Sequence, residues 1–280
     1  MKKSALLAGG LALVVVVSGC ATKTESGQAS GQTGNTGSDS LFGNAQELVL
    51  AASAKTQQVK SSKFSLVETV AGQQITGEGQ GRYDGANSVM QMTMTVLGQT
   101  EEIRLVGKTM YIQLPQAARG AMTGGKPWGR ISTDGDVGKA LSDTLDKAQQ
   151  NDPSKTLEQI QQAGTITKSE KTTLDGQPVS HYWIDLDFAK AAKSFSSAGV
   201  PEEQLQQMAG QVKSIPVELW LNADQLPVQV SEDLGPIMKA AGAPSNAQNA
   251  KMTLKYSDWG TPVDVLAPPA DQVGELKLGN

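Results

Sequence analysis

Val89-Met90-Gln91-Met92-Thr93-Met94-Thr95-Val96-Leu97 is the stretch that decides the fold. Met90, Met92, Met94 and Val96 fall on one side of an extended chain and Gln91, Thr93 and Thr95 on the other, which is the period of two that a half-buried strand requires. The period recurs on both sides of it. Upstream, Phe64 and Leu66 alternate with Ser65 and Val67, and Ile75, Gly77, Gly79, Gly81 and Tyr83 alternate with Thr76, Glu78, Gln80 and Arg82. Downstream come 102–106 and then Met110, Ile112 and Leu114, stopped by Pro115. Ala71-Gly72, Asp84-Gly85-Ala86-Asn87, Gly98-Gln99 and Gly107-Lys108 supply short turns between these runs, so an antiparallel meander is expected.

Beyond the meander the pattern changes. Asn44–Val59 reads as a helix before it, capped by Asn44 or Gly43, with Leu48, Ala51, Ala52 and Val59 at helical spacing. Residues 120–128 read as a Gly-rich loop, followed by polar helices over 136–150 and 154–163, broken at Asn151-Asp152-Pro153. Strands resume at 165–174 and 179–188 around an Asp175-Gly176 turn. A helical stretch with Pro201 in its first turn runs to Val212, and strands follow at 215–221, 228–234 and 251–259. The expectation is an α+β fold: a large curved antiparallel sheet, a half-barrel of about ten strands, with helices covering the concave face. The alternate glycines 77, 79 and 81 mark where a strand can bend or let another element approach closely.

Composition removes much chemistry. The 280 residues hold one cysteine and one histidine, which excludes disulfide frameworks, multi-Cys metal sites and His-rich centres, so no metal or cofactor is expected. A net charge of −4 gives no electrostatic reason to expect nucleic acid. His181 sits among Val179-Ser180-His181-Tyr182-Trp183. Its alternation with Tyr182 and Ile184 puts it on the outer face with Trp183 and Asp185, exposed or half-exposed and without a recognisable nucleophile or orienting acid. No Gly-x-Ser-x-Gly occurs, and Gly120, Gly124, Gly125 and Lys126 lack the ending of a phosphate loop. No enzyme is expected.

The core composition is more informative. Hydrophobic residues make up 38% of the chain but aromatics only 4%, so flexible thioethers and aliphatics dominate the inner face. Met90, Met92, Met94, Ile103, Leu105, Met110, Ile112 and Leu114 share that face with Ile184, Leu186, Leu219 and Leu221 of the later strands. Methionine adapts to irregular gaps, which suits either an ordinary core or a cavity for a flexible hydrocarbon. These twelve are the candidate cavity lining.

The N-terminus carries an address. Lys2 and Lys3 precede an apolar run, Ala5 to Val17, of about 13 residues, short of the about 20 that span a bilayer. It ends in Val17-Ser18-Gly19-Cys20, which resembles a bacterial lipobox. On that reading residues 1–19 are a signal peptide. Cys20 would carry a diacylglycerol, and two acyl chains at ~0.8 kcal/mol per buried methylene anchor stably to a membrane. The chain would then be exported and held at the outer face of the cell membrane. Residues 20–40 are too polar to fold and read as a tether with a reach of roughly 25 Å. The remainder, 41–280, reads as one domain. Removing Lys2 and Lys3 with the leader leaves 22 basic against 28 acidic residues, or −6, so attachment would rest on the lipid and not on anionic headgroups.

Several short motifs occur in a telling order: the lipobox and polar tether, Lys126-Pro127-Trp128-Gly129, the stretch from Asp175 to Leu186, Pro216-Val217-Glu218-Leu219-Trp220-Leu221-Asn222 with Leu226-Pro227-Val228, Tyr256-Ser257-Asp258-Trp259-Gly260-Thr261-Pro262-Val263, and Ala267-Pro268-Pro269-Ala270. Together they resemble the actinobacterial LppX/LprG-type envelope lipoproteins, a family similar in fold to the LolA/LolB carriers. The resemblance implies a lipoprotein that binds acylated lipid or glycolipid and carries or chaperones it without catalysis, with a lipid exporter as a further candidate partner. The alternative is an envelope sensor or partner-binding lipoprotein on the same fold, using the face of Trp183 and Trp220.

Overall fold

A computed structural model describes residues 41–84, 87–96, 98–132, 153–197 and 202–276. The leader, Cys20, the tether and the helix expected over 136–150 lie outside the described residues. The described residues belong to one compact unit, Gly37–Asn280.

Helix α1 (Ala45–Val59) starts where expected. The Asn44 side chain accepts the Glu47 N–H at 2.9 Å, and Lys60 ends the helix in a left-handed conformation, φ 59°, with its N–H on the Thr56 carbonyl. Then come β1 (Ser61–Val70), β2 (Gln73–Arg82), β3 (Val89–Val96), β4 (Gln99–Val106) and β5 (Thr109–Gln113). The β1–β2 turn has positive φ at both Ala71 and Gly72, 54° and 76°, the arrangement whose twist matches the flanking strands. Helix α2 (Gln116–Thr123) and β6 (Trp128–Ser132) follow, where a Gly-rich loop was expected over 120–128. Helix α2 closes at Gly124, φ 65°, whose N–H reaches the Arg119 carbonyl. Next are α3 (Pro153–Ala163), β7 (Gly164–Leu174), β8 (Gln177–Asp187), α4 (Phe188–Ser197), α5 (Glu202–Ala209), β9 (Ser214–Leu221), β10 (Pro227–Asp233), α6 (Gly235–Ala240), β11 (Lys251–Ser257) and β12 (Val273–Glu275).

Twelve strands form one sheet in the order β12-β6-β5-β4-β3-β2-β1-β11-β10-β9-β8-β7. It is open and mixed, since β12 joins β6 in parallel whereas the other pairings are antiparallel. The fold class is α+β as expected, and the two strands beyond the ten read from sequence are β6 and β12. The two runs of strands meet at β1 and β11, where Phe64 faces Tyr256 and Leu66 faces Leu254.

The helices bury their apolar stripes on one face. Leu48 and Ala52 of α1, Leu157 and Ile160 of α3, Phe188 and Ala191 of α4 and Leu205 and Met208 of α5 join a single cluster with Phe64, Leu66, Leu254 and Tyr256 of the sheet. Helix α1 packs on α3, α3 on α4 and β8, and α4 on α5. On β2–β4 the opposite face carries polar side chains that bond to one another across the strands. Gln80 donates to Gln91, Gln91 to Glu102 at 2.5 Å, and Arg104 closes the chain on Glu102 at 2.8 Å. The segment after Trp259 crosses this face. Ser61 Oγ donates to the Thr261 carbonyl, Val263 and Val265 pack on Val89 with Val106, and Arg104 donates to the Leu266 carbonyl at 3.1 Å while lying over the Trp128 ring. Lys126 then bonds the Asp271 carbonyl, and β12 pairs with the edge of β6.

Candidate functional site

The twelve lining candidates lie on the helix-bearing face. Met90, Met92, Leu105, Met110 and Leu114 are buried on the β3–β5 side, and Ile184, Leu186, Leu219 and Leu221 on β8 and β9; Met94, Ile103 and Ile112 are partly buried against the same cluster. Strict alternation produces this. Met90 faces Leu105, which faces Met110, which faces Ile131, so one row of apolar side chains crosses four strands. Each fully buried side chain of this size contributes about 1.5–3 kcal/mol. Sequence reasoning missed Ile131 because no strand was read between the Gly-rich loop at 120–128 and the helix expected over 136–150. It also passed over Tyr182, which lies on the same face; its hydroxyl accepts the Phe42 N–H at 3.3 Å and burial raises its pKa. That bond ties the start of the folded part to β8.

One row of the apolar face is different. Ile75, Glu68, Met252, Glu232, Val217 and Ile184 stand side by side across β2, β1, β11, β10, β9 and β8. Two carboxylates thus flank Met252 on a predominantly apolar face. Burial pushes the Glu232 carboxyl up to about 7, so it is largely protonated in mildly acidic solution.

Clefts gather at the end of the sheet that carries the β9–β10 turn. In that turn the Asn222 side chain accepts the N–H groups of both Asp224 and Leu226. A cleft of about 810 Å3 is lined by this turn, the β7–β8 hairpin tip and residues 63–65, 78–79 and 255–257. A second, of about 780 Å3, lies between the same turn and the C-terminal part of α1. A small one of about 130 Å3 lies beside Phe42, Tyr182 and Leu221. Of the twelve candidates, Leu221 reaches this last cleft.

The single histidine departs from expectation. His181 does lie on the face opposite the helices, but it is buried, with 6% of its surface accessible. It is stacked on Trp220, its cross-strand neighbour, with centroids 4.1 Å apart and planes 15° apart, and it meets the tilted Trp183 ring at 3.5 Å. Lys168 Nζ lies 3.9 Å from the Trp183 ring centroid, and His181 Nε2 is 2.9 Å from Glu218. Desolvation lowers the imidazole pKa; the Glu218 carboxylate opposes this without reversing it. Trp220, expected on an exposed binding face, is buried too. Buried and in contact with two indoles, the imidazole suits a structural stack better than a proton-transfer site.

Among the described residues no group of three or more His, Cys, Asp or Glu could hold a metal ion, and no helix is long and apolar enough to cross a membrane. No family model matches the chain. No curated protein matches it either. Solved structures do. The Mycobacterium tuberculosis lipoprotein LppX aligns with 79% of this chain and 97% of its own, at 14% identity and a TM-score of 0.47. LprF from Mycobacterium bovis aligns with 80% of this chain and 96% of its own, at 16% identity and the same TM-score. Pseudomonas aeruginosa MucB in complex with MucA aligns with 81% of this chain and 59% of that one, at 14% identity and a TM-score of 0.34. The chain is thus similar at low sequence identity, over about four fifths of its length, to solved structures that include LppX and LprF.

Proposed function

We propose that this protein is a cell-envelope lipoprotein that holds acylated lipid or glycolipid between its sheet and helices and carries or chaperones it without catalysis. The observation that carries the reading is the helix-bearing face: methionine and aliphatic side chains, nearly free of aromatic rings on β3–β5, joined in one apolar cluster with the buried stripes of the short helices. Such a surface can part to admit acyl chains at small cost, because thioethers repack without strain. Export and anchoring rest on the leader at 1–19, lipid attachment at Cys20 and the tether at 20–40. The domain at 41–280 is then free to turn toward the bilayer.

Organic extraction of the protein purified without its anchor, followed by mass spectrometry, tests the reading. The expected result is about one equivalent of acylated lipid per chain, falling when Met92→Trp or Ile184→Trp fills the interior. Extracts free of lipid, from protein that also takes none from vesicles, would sink it. Anchoring is tested separately: Cys20→Ala should release the protein from the membrane fraction and change its mobility on a gel.

A further inference from the structure

Tyr182 stands at one end of an apolar row. From it Leu219, Val230, Leu254 and Leu66 follow side by side across β9, β10, β11 and β1, so the row leads from β8 into the middle of the helix-bearing face. Leu41 and Phe42 lie against the Tyr182 end, partly buried on the main cluster. Phe42 forms part of the wall of the cleft of about 130 Å3, whose lining also includes Tyr182 and Leu221. Those two side chains are sealed, each being 1% accessible.

The covering segment is held less firmly than the helices. Helices α1, α3, α4 and α5 are fixed by buried apolar stripes, whereas Phe42 makes a hydrogen bond of 3.3 Å to the Tyr182 hydroxyl and a tilted ring contact with centroids 6.4 Å apart. Both distances are at the long end for their kind. The backbone bends at Gly43, which has no Cβ to restrict it and open space where one would stand. Asn44 then begins α1 with its capping bond, so residues 41–43 can move without disturbing the helix. A segment with so few contacts opens at the low end of a fold's range of local stabilities.

We propose that Phe42 is a hinged plug: residues 41–43 swing about Gly43 and uncover Tyr182 and Leu221, opening a way to the apolar face for an elongated hydrocarbon. That an acyl chain is what enters rests on the lipid reading above, whereas the plug itself does not. The same residues follow directly on the stretch read as a tether, 20–40, so a pull along the chain reaches the plug before it reaches the helices.

Thiol labelling tests the plug without any lipid. Cys20 is the sole cysteine, so in the mature chain carrying Cys20→Ala a thiol introduced by Leu221→Cys is the single target for N-ethylmaleimide. Phe42→Ala should speed its labelling about tenfold, the share of a partly buried ring. Tyr182→Phe, which removes the acceptor of the Phe42 N–H and keeps the ring, should speed it about threefold. Met110→Cys, at a site equally buried on β5 at the far side of the sheet, is the control and should label at an unchanged rate. Ser180→Cys, a nearly isosteric change against the same cleft, replaces Leu221→Cys should that variant fail to give a cooperative melt. Equal labelling with and without Phe42 overturns the proposal. So does equal acceleration at Met110→Cys, which would mean a general loosening of the fold. Uptake of cis-parinaric acid from vesicles separates the plug from the lipid reading: Phe42→Ala should speed uptake and release alike and leave the bound amount unchanged. Faster labelling with no uptake by either protein keeps the plug and removes the lipid.

Discussion

Replacing Gly79 by alanine probes the centre of the sheet with a single methyl group. A Cβ there would stand 2.5 Å from the Gln91 carbonyl oxygen and 2.8 Å from Phe64 Cε2, where ordinary contacts begin near 3.4 Å. The ring has little room to move, because Phe64 is 4% accessible and packed in the main cluster. The carbonyl belongs to β3, so relieving it means separating β2 from β3. Overpacking of this kind costs about 1–3 kcal/mol, or about 3–10 °C in melting temperature for a domain of this size. Gly77, two residues earlier on the same strand and face, is the internal control. Its Cβ would meet Leu66, Thr93 and Met92 at 3.6–3.7 Å, which is ordinary contact. Gly77→Ala should therefore stabilise by up to about 0.5–1 kcal/mol through the restricted unfolded chain. Thermal melts of both variants, with urea titrations for free energies, supply the test. Phe64→Leu in the Gly79→Ala background should recover only part of the loss, since the carbonyl contact remains. Equal shifts for the two alanine variants would refute the packing argument, as would a Gly79→Ala protein as stable as the parent.

Three further outcomes follow from titrating and buried groups. The Glu232 carboxyl is raised from its ordinary 4.5 to about 7 in the fold, so the native state holds a proton that the unfolded chain has lost; stability is greatest below about pH 4.5 and falls as pH rises toward 7. Part of Glu232 remains accessible, which screens the effect to about 1–2 kcal/mol, and Glu232→Gln should flatten this slope in melts taken between pH 5 and 8. His181 shares the cause, burial, but responds in the opposite direction: its folded pKa is depressed below 6.5, so its packing is fully favourable above that value and weakens as pH falls through it. His181→Phe keeps the stack on Trp183 and Trp220 and should remove this acid-side loss; a parent and variant with the same profile from pH 7 to 5 would count against it. Val265→Asp places a charge in the contact with Val89 and Val263, and melts should show a loss of about 2 kcal/mol, the scale of burying an unpaired polar group.

Where backbone alternation alone decides the outcome, the fold was legible in the sequence. Met90, Met92 and Met94 share the face assigned to them because a strand permits only two faces. Helix α1 was legible from Asn44, a side chain with a specific capping bond to make. Helix α2 was hidden by Pro115 before it and Gly120 within it, yet Thr123 Oγ1 bonding the Arg119 carbonyl and burial against the neighbouring elements sustain it. Strand β12 is three residues long and exists only through its parallel partner Trp128–Arg130. Alternation put His181 on the correct face, but burial depended on Trp220, which is brought alongside by sheet registry and not by any local signal. The large cleft was invisible for the same reason: it arises from a hairpin tip, Asp175, reaching a lysine eighty residues away.

The seam between β1 and β11 carries a consequence for how the chain comes to be folded. Phe64 finds Tyr256 only after almost the whole sequence is available, and the segment holding Val263 and Val265 must still cross to reach β6. Closing so long a loop is slow, because its entropy is lost before the contacts that compensate for it form. A chain threaded N-terminus first through a translocation pore would therefore emerge with its two runs of strands unjoined, each able to pair internally but neither able to complete the sheet. The residues from Lys251 onward are the ones that join the two runs. Synthesis and export would run ahead of folding by construction, and a C-terminal truncation before Lys251 should give an export-competent chain that does not reach the native sheet.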